Sequence, residues 1–233
     1  MTKKIVCITG ATDGLGKALV HEFKQRNGYE LILCGRNEEK MKNLLVELPQ
    51  NLVIYAECFD MLSDEKINNF TETIKNKGLN PDILINNAGA NYKKSPVAEL
   101  NIDDLRNMLQ LNCVSHLQLI QAFYAGMKAK GAGHILNILS SCCLFNNETM
   151  AGYTASKDAM EAISKTLVKE ARQDHIKVTS VYPGGIDTGF RAVPNHSYMK
   201  PETVARTIVD CIELPDDGVM HDIVIRPFSE SNF

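Results

Sequence analysis

Residues 4–16 read Lys-Ile-Val-Cys-Ile-Thr-Gly-Ala-Thr-Asp-Gly-Leu-Gly, a short apolar run that leads directly into a glycine-rich segment. The apolar run predicts a buried strand, and the apolar pattern of residues 17–23 predicts a helix after the glycines. A glycine-rich turn between a strand and a helix N-terminus is an anion site, because backbone N–H groups and the helix dipole point toward a phosphate. The segment is therefore typical of the phosphate end of a dinucleotide-binding fold.

The spacing of these glycines differs from the commonest dinucleotide fingerprint. Gly10, Gly14 and Gly16 give Gly-x-x-x-Gly-x-Gly, whereas the commoner pattern is Gly-x-Gly-x-x-Gly. A plain strand-to-helix turn is the alternative interpretation. Three glycines in a strand–turn–helix context favour the nucleotide site.

Apolar strands alternate with amphipathic helices along the chain, which predicts a parallel sheet covered by helices on both faces. The fold class is therefore α/β: a single doubly wound Rossmann-fold domain over residues 1–233, with a seven-stranded parallel sheet. Ligands bind at the carboxyl ends of the strands in such sheets. The predicted strands are Lys4–Thr9, Glu30–Cys34, Leu52–Cys58, Ile83–Asn86, His134–Leu139, Lys177–Tyr182 and Asp222–Ile225, and the predicted helices are Gly16–Asn27, Glu38–Glu47, Asp64–Lys77, Asp103–Lys130, Tyr153–Gln173 and Pro201–Glu213.

Composition and charge exclude several classes of partner. The chain has 233 residues, of which 44% are hydrophobic, so that one sizeable core is expected. Its net charge is −3 with both signs scattered, which gives no electrostatic footprint for nucleic acid. No apolar run approaches the roughly 20 residues that span a bilayer, and no signal peptide begins the sequence. We expect a cytoplasmic protein with neither a nucleic-acid nor a membrane partner.

The cysteine pattern argues against disulfides and metal sites. Seven cysteines are an odd number, and none forms a Cys-x-x-Cys pair. Cys7, Cys34 and Cys113 lie in apolar or helical contexts suited to buried thiols. Cys142 and Cys143 form a pair that looks exposed, and we interpret them as small wall residues near a pocket.

A phenol and an ammonium group stand four residues apart in the stretch Tyr153-Thr154-Ala155-Ser156-Lys157. Side chains four apart on a helix are neighbours. A free phenol has a pKa of about 10 and a free lysine about 10.4, so the adjacent cation favours phenolate and eases proton exchange near neutral pH. The pair favours general acid/base work by Tyr153 on a carbonyl or alcohol oxygen. A solvated helix face is the alternative, and the rest of the chain decides between the two.

The chain resembles the short-chain dehydrogenases/reductases along essentially its whole length. The resemblance implies an oxidoreductase in which a nicotinamide cofactor provides hydride. Its specificity comes from several motifs that occur together and in order. They are the Thr9–Gly16 loop with the spacing Thr-Gly-x-x-x-Gly-x-Gly, Asn86-Asn87-Ala88-Gly89 after the fourth predicted strand, Asn112, Ser140, Tyr153 with Lys157, and Pro183-Gly184 followed by Thr188.

The resemblance implies a role for each of four catalytic residues. Tyr153 donates the proton, Lys157 binds the nicotinamide ribose and lowers the pKa of the tyrosine, and Asn112 supports a proton-relay water. Ser140 orients the substrate carbonyl. Ser140 is chosen over Ser141 because it stands thirteen residues before Tyr153, the usual family spacing, and because successive strand residues face opposite sides.

The resemblance also implies a set of cofactor contacts. Each has a simpler interpretation as a turn or capping residue, so the assignments depend on the joint pattern. The implied cofactor-binding residues are Gly10, Thr12, Asp13, Gly14, Leu15, Gly16, Arg36, Asp60, Met61, Asn87, Ala88, Gly89, Tyr153, Lys157, Pro183, Gly184, Ile186 and Thr188.

The end of the second predicted strand bears on the choice between NADP(H) and NAD(H). An acidic side chain there would bond the ribose 2′-OH and repel a 2′-phosphate. The positions hold Cys34, Gly35 and Arg36, and the arginine offers a planar fork of donors that matches a phosphate. NADP(H) is therefore preferred over NAD(H). A solvated Arg36 is the alternative, and Asp13 in the glycine loop opposes the preference because its charge would face the 2′-phosphate.

The expected substrate pocket mixes apolar and polar walls, which suits a small or medium carbonyl compound. The stretch from Gly189 to Met199 is short for a lid and argues against a large buried sterol. Apolar residues on more than one face of the predicted helices Asp103–Lys130 and Tyr153–Gln173 fit a homodimer or homotetramer, the family expectation. The expected wall residues are Asn91, Tyr92, Leu144, Phe145, Met150, Gly185, Phe190 and the loop through His196 and Tyr198.

Two other functions fit parts of the pattern. A regulatory protein that senses NADP(H) without turnover would keep the cofactor motifs, but the presence of Tyr153, Lys157 and Ser140 disfavours it. A dehydratase or epimerase of the same family is the second alternative. The extended relatives that do such chemistry usually have longer C-terminal substrate domains. Reduction of a carbonyl group to an alcohol, or the reverse, is the favoured reaction.

Overall fold

The computed structural model describes residues 3–190 and 195–231. One seven-stranded sheet, parallel at every strand pair, has the order β3-β2-β1-β4-β5-β6-β7, which confirms the predicted Rossmann-type α/β fold. The strands are β1 (Lys4–Thr9), β2 (Tyr29–Gly35), β3 (Val53–Cys58), β4 (Ile83–Asn86), β5 (Gly133–Ile138), β6 (Ile176–Pro183) and β7 (Asp222–Ile225). The helices are α1 (Gly14–Gln25), α2 (Glu38–Val46), α3 (Asp64–Asn76), α4 (Ile102–Leu109), α5 (Ser115–Lys130), α6 (Ala151–Ala171) and α7 (Pro201–Ile212).

The order of the strands reverses beside β1. This strand pairs with β2 on one side and with β4 on the other, so the chain runs outward in one direction and then in the opposite one. A crevice opens at such a reversal, outside the carboxyl ends of the strands. The loops that follow β1, β4, β5 and β6 all leave the sheet at this edge, where the topology places a ligand.

Two hydrophobic layers cover the sheet. Helices α1, α2 and α7 contribute buried residues to one layer, which includes Leu19, Phe23 and Ile208. Helices α3, α5 and α6 contribute to the other, which includes Phe70 and Met160. Parallel strands buried on both faces read as continuous apolar runs, and this burial explains the run that begins the chain.

Several element bounds differ from the predicted ones for local reasons. Helix α1 begins at Gly14 rather than Gly16, because the Asp13 side chain caps it by accepting the Gly14 N–H at 2.8 Å. The predicted helix Asp103–Lys130 is interrupted by a π-helical turn over Gln110–Val114. Helix α6 begins at Ala151, two residues before the predicted start. Within the described residues, none of the helices combines the length and apolar character needed to cross a bilayer.

A buried histidine links the two central strands β5 and β6. His134 is 6% exposed, and its Nε2 atom lies 2.8 Å from Thr179 Oγ1. The Thr179 hydroxyl donates to the Met220 carbonyl at 2.6 Å, so it accepts the hydrogen bond from the imidazole. Burial lowers the pKa of His134 to about 3, and Lys177 adds to this effect.

We predict that the free energy of unfolding falls as pH decreases from about 6.5 toward 3, because the unfolded chain binds a proton that the buried imidazole excludes. The contribution of His134 is at most about 1.4 kcal/mol per pH unit. His134→Gln keeps an N–H donor toward Thr179 and cannot take up that proton. Its stability, measured by urea unfolding across this range, should fall less steeply with acid.

The matched control is His175→Asn, which changes an exposed histidine in a left-handed conformation that asparagine tolerates. Its acid dependence should match that of the parent protein. Equal slopes for His134→Gln and the parent would contradict the assignment.

Candidate active site

The turn after β1 is folded so tightly that side chains would not fit at its three glycine positions. Gly10 and Gly14 have φ angles of +63° and +49°, in the left-handed region that favours glycine. A Cβ atom on Gly16 would lie 2.0 Å from the Gly10 carbonyl oxygen and 2.7 Å from Asn87 Nδ2. The turn therefore forms a bare backbone cradle at the N-terminus of α1, where partial positive charge accumulates.

The loop after β4 is joined to this cradle. Thr9 Oγ1 accepts the backbone N–H groups of Asn87 and Ala88, each at 2.9 Å. Asn87 Nδ2 donates to the Thr9 carbonyl at 2.8 Å. Our sequence analysis gave Thr9 no role beyond its place in the motif, yet its hydroxyl fixes the two loops as one unit.

A carboxylate in the glycine-rich turn is paired with a lysine of helix α2. Asp13 Oδ2 forms an ion pair with Lys40 Nζ on α2. The hydrogen bond from Lys40 is the largest of the effects that lower the pKa of Asp13. Arg36 is exposed directly after β2. Lys40 was missed in the sequence because its contact with Asp13 spans 27 residues and follows no motif.

Asp60 and Met61 occupy the loop after β3. Asp60 Oδ1 accepts the Leu62 N–H at 3.0 Å, and Met61 is 6% exposed. The carboxylate of Asp60 thus holds its own turn, as the simpler sequence interpretation also allowed. Burial raises the pKa of the nearby Tyr92, with a further contribution from the charge of Asp60.

Lys157 places an ammonium group inside the protein. Its side chain is buried, and Nζ donates to the Ile138 carbonyl at 2.7 Å, at the last residue of β5. The same atom lies 6.0 Å from the centroid of the Tyr153 ring. Burial lowers the pKa of Lys157 to about 8, since desolvation disfavours the charged form. A phenol and an ammonium that titrates near neutral pH therefore share one pocket.

Asn112 lies on the π-helical turn and is fully buried. Its Oδ1 accepts the Ala90 N–H at 2.9 Å, while Nδ2 donates to the Ala90 carbonyl at 2.9 Å and to Ser156 Oγ at 2.8 Å. Ser156 Oγ in turn donates to the Tyr153 carbonyl at 2.7 Å. The chain of bonds joins the loop after β4 to the helix that carries Tyr153. No sequence pattern indicated the role of Ser156, because that role depends on its hydrogen bond with Asn112, which is distant in sequence.

Ser140 is positioned by a turn and not by a strand. Strand β5 ends at Ile138, and Ser140 precedes a short 3-10 turn over Ser141–Cys143. Ser140 Oγ accepts the Cys142 N–H at 3.2 Å. The argument from alternating strand faces was therefore wrong in its premise, since the two serines lie beyond the strand.

The exposed environment expected for Cys142 was also wrong. This thiol is 2% exposed and packs with Met108 and Tyr153. A hydrogen bond from Cys143 is the main cause that lowers the pKa of Cys142 to about 7, and Ser140 contributes to the same shift. Cys142 thus forms part of the wall behind Tyr153.

The loop after β6 closes over the cradle. A Cβ atom on Gly14 would lie 3.3 Å from the Thr188 side chain, and the rings of Phe190 and Tyr153 are 6.0 Å apart. Exposed His196 pairs with Asp187 at 2.8 Å, which fits a loop residue. Residues 191–194 of the expected lid stretch lie outside the described residues.

The structure thus brings several of the sequence-predicted residues close together at the carboxyl edge of the sheet. Gly89 shows how close the parts come: a Cβ atom there would lie 3.0 Å from Asn112 Oδ1 and 3.4 Å from Lys157 Nζ. Ile186 pairs with Met199 as an isolated parallel bridge that steadies the loop after β6. The crevice offers a backbone anion site at one end and a phenol beside a buried ammonium at the other.

Comparison with known proteins assigns the family. The sequence model of the short chain dehydrogenases matches residues 4–198. An uncharacterized oxidoreductase of Staphylococcus aureus (strain MW2) is 30% identical over 233 residues, which cover 97% of this chain and 98% of the relative. The chain belongs to the short-chain dehydrogenase/reductase family and is an oxidoreductase.

Solved structures agree with this assignment. Serine dehydrogenase from Escherichia coli superimposes with a TM-score of 0.87 at 26% identity, covering 97% of this chain and 99% of that one. A closed form of serine dehydrogenase complexed with NADP+ gives a TM-score of 0.90 at 26% identity, covering 97% and 96%. The family predicted from the motifs is confirmed.

Proposed function

We propose that the protein is an NADP(H)-dependent oxidoreductase that reduces a carbonyl group of a small or medium substrate to an alcohol, or catalyses the reverse reaction. The observation that carries the proposal is the buried Lys157 ammonium, which lies 6.0 Å from the Tyr153 ring centroid and close to Gly89 in the loop after β4. Ser140 follows the strand whose last carbonyl accepts the Lys157 hydrogen bond. One crevice therefore holds an acid/base group, its cation and a neutral hydroxyl.

Each residue has a role that its surroundings support. Tyr153 transfers the proton to or from the substrate oxygen, and the positive charge of Lys157 favours its phenolate form. Ser140 donates a hydrogen bond to the carbonyl oxygen and so holds the substrate in place. Asn112 bonds to Ala90 in the loop after β4 and to Ser156 on α6, and so holds that loop against the helix that carries Lys157.

The residues around the crevice fit a dinucleotide. Gly10, Gly14 and Gly16 allow the turn to pack tightly against its own backbone and neighbouring loops. The turn therefore places backbone N–H groups and the partial positive charge of the α1 N-terminus where they suit a pyrophosphate. Asn87 and Gly89 line the middle of the crevice, and Thr188 lies against the cradle. When bound, a reduced nicotinamide supplies the hydride.

A preference for NADP(H) has three supports. Arg36 is an exposed guanidinium at the end of β2, where the 2′ group of the adenosine ribose binds in this fold. Asp13, whose charge opposed the preference in the sequence, is paired with Lys40 in the folded chain. The serine dehydrogenase complexed with NADP+ adds a precedent within the family.

The walls favour a substrate of modest size. Phe145 and Phe190 offer aromatic surface, and Tyr198 packs against Gly185. Leu144 is 41% exposed at the mouth of the crevice. An aliphatic or aromatic ketone or aldehyde matches such a mixture of apolar wall and hydroxyl groups.

Replacement of Tyr153 by Phe tests the proposed reaction. Tyr153→Phe keeps the ring and removes the transferable proton, so turnover should fall by roughly 10²–10⁴-fold. NADPH binding should survive. The assay monitors oxidation of NADPH against a panel of ketones, aldehydes and quinones, with binding titrated separately.

The control for this variant is Tyr124→Phe, on α5 and bonded to Asp174 away from the crevice. It should retain parent turnover. Full activity in Tyr153→Phe would contradict the mechanism, and tight NADPH binding with no turnover across the panel would favour a sensor of the cofactor.

The titration of Lys157 predicts a pH dependence. Its ammonium form prevails below about 8 and is lost above it, because burial lowers its pKa from the usual value. With NADPH limiting, kcat/KM for carbonyl reduction should therefore decrease as pH rises through about 8. The inflection should vanish in Lys157→Met together with most of the activity.

Lys165→Met provides the comparison, since this lysine is exposed on the same helix. Its pH profile should follow that of the parent. A profile of the parent enzyme that is flat between about 7 and 9 would contradict the role given to the ammonium.

Charge reversal at the ribose end tests cofactor preference. Arg36→Asp should shift preference from NADPH toward NADH, because it removes a phosphate partner and adds a like charge. Lys40→Ala should weaken NADPH binding more than NADH binding, since it leaves the Asp13 charge unpaired. Dissociation constants for both nucleotides, titrated without substrate, give the measurement.

Lys42→Ala, an exposed lysine on the same helix, is the control and should leave both constants unchanged. Equal effects of Lys40→Ala on the two nucleotides would show that Asp13 does not face the 2′-phosphate. An unchanged preference in Arg36→Asp would show that the arginine points elsewhere.

A further inference from the structure

A partly buried ion pair lies in the segment that follows β7. Arg226 Nε donates to Glu230 Oε2 at 3.1 Å, and the two side chains are 7% and 17% exposed. Glu230 Oε1 accepts the backbone N–H of Gly185 at 2.7 Å. The carboxylate therefore links the C-terminal segment to the loop that leaves β6 at the crevice.

The same carboxylate is packed directly on that loop. A Cβ atom on Gly184 would lie 2.4 Å from Glu230 Oε2, so glycine is needed for the contact. The Gly184 N–H donates to the Ile225 carbonyl at 2.8 Å, which continues the pairing of β6 with β7 beyond the strands. These contacts hold the turn after β6 against the C-terminal segment.

Arg226 reaches a second loop of the crevice. Its guanidinium carbon lies 4.7 Å from the centroid of the Phe145 ring, a distance at which the cation and the ring attract. Phe145 belongs to the segment between Ser140 and Tyr153. The ion pair thus connects Gly185 on one loop with Phe145 on the other.

The pair is a poor device for stability alone. Burial of two charges costs desolvation that their attraction only partly offsets, so a buried pair is weak evidence of a stabilising role. Its hydrogen bonds are charge-assisted and directional, which suits them to fixing geometry. The two loops that it joins carry wall residues of the crevice.

We propose that Glu230 and Arg226 are positioning residues, which hold Gly185 and Phe145 at a fixed separation across the crevice that contains Tyr153 and Ser140. The inference rests on the proposed carbonyl reduction and adds two residues to it. Release of either loop displaces the substrate from Tyr153 and loosens the cofactor contacts of the loop after β6, while the Asp13–Lys40 pair at the ribose-phosphate end keeps its own contacts. Displacement of about 1 Å at such a distance from the chemistry can cost 10²-fold in rate.

The test compares two ion pairs of the same kind. Glu230→Ala removes the ion pair with Arg226 and the hydrogen bond from the Gly185 N–H. Glu22→Ala removes a matched pair, in which Arg26 Nε donates to Glu22 Oε1 at 3.1 Å with the same four-residue spacing. Arg26 follows α1 just before β2 begins, at the end of the sheet opposite the crevice. Each variant is assayed for kcat and KM with NADPH and 2,3-butanedione as the carbonyl probe, for NADPH dissociation, for melting temperature and for amide exchange of Gly185.

We expect Glu230→Ala to lower kcat by about 10- to 100-fold, with NADPH dissociation changed less than about threefold. Exchange of the Gly185 amide should accelerate. Glu230→Gln should recover part of the rate, because its side-chain carbonyl still accepts the Gly185 N–H. Glu22→Ala should lower the melting temperature and leave both kcat and Gly185 exchange at parent values.

The proposal is overturned if kcat is unchanged in Glu230→Ala. It is also overturned if melting temperature, NADPH binding and rate all fall together in this variant, since that result indicates general destabilisation. If no carbonyl compound supports NADPH oxidation by the parent enzyme, the proposed function is overturned instead. The exchange measurement then decides the positioning separately, since Gly185 protection that persists in Glu230→Ala contradicts the link without any need for turnover.

Discussion

Lys157 keeps a positive charge inside the protein, and much of the site is arranged around the cost of doing so. A buried ammonium loses its hydration and needs acceptors to replace it. The Ile138 carbonyl provides one at 2.7 Å, because β5 ends where its last carbonyl faces α6. Gly89 lies so close that a Cβ atom there would be 3.4 Å from Lys157 Nζ, so the absence of a side chain keeps the ammonium from being crowded. Burial lowers the pKa of Lys157 to about 8, because desolvation disfavours the charged form.

The parallel sheet is what brings these parts to one place. Strands β1, β4, β5 and β6 end at the same edge, so four loops distant in sequence become neighbours there. Side chains of the loops are then bonded across to one another, as Thr9 is to Asn87 and Asn112 to Ser156. The Asn112–Ser156 bond is buried and the Thr9–Asn87 bond is partly buried, so both are costly to leave unmade and fix the loops relative to the sheet.

The sequence was sufficient for those features that depend on local spacing. The glycine turn and the Tyr153–Lys157 pair are each contained within one strand–turn–helix or one helical turn, so their geometry follows from backbone periodicity. Features that depend on contacts across the fold were not accessible. The pairing of Asp13 with Lys40 and the burial of Cys142 are set by packing between elements, which no local pattern encodes.

The π-helical turn at Asn112 shows the same limit in another form. Periodicity predicted one uninterrupted helix there, because an extra residue in a single turn barely alters the apolar pattern. Its effect is to place Asn112 where the side chain meets both Ala90 and Ser156. A polar residue in a helix interior was the only signal, and such residues are common on solvated faces.

The segment between Ser140 and Tyr153 is held differently from the rest of the crevice. Thr149 has a φ of +65°, a left-handed conformation that is unfavourable for a β-branched residue and costs of order 1–3 kcal/mol. Its carbonyl accepts the Ser95 N–H at 3.0 Å, and Phe145 meets the Arg226 guanidinium at the other end of the segment. Strain at one residue persists only where neighbouring contacts outweigh it. A strained segment that is anchored at both ends keeps one conformation, and this gives Phe145 a fixed place between Ser140 and Tyr153.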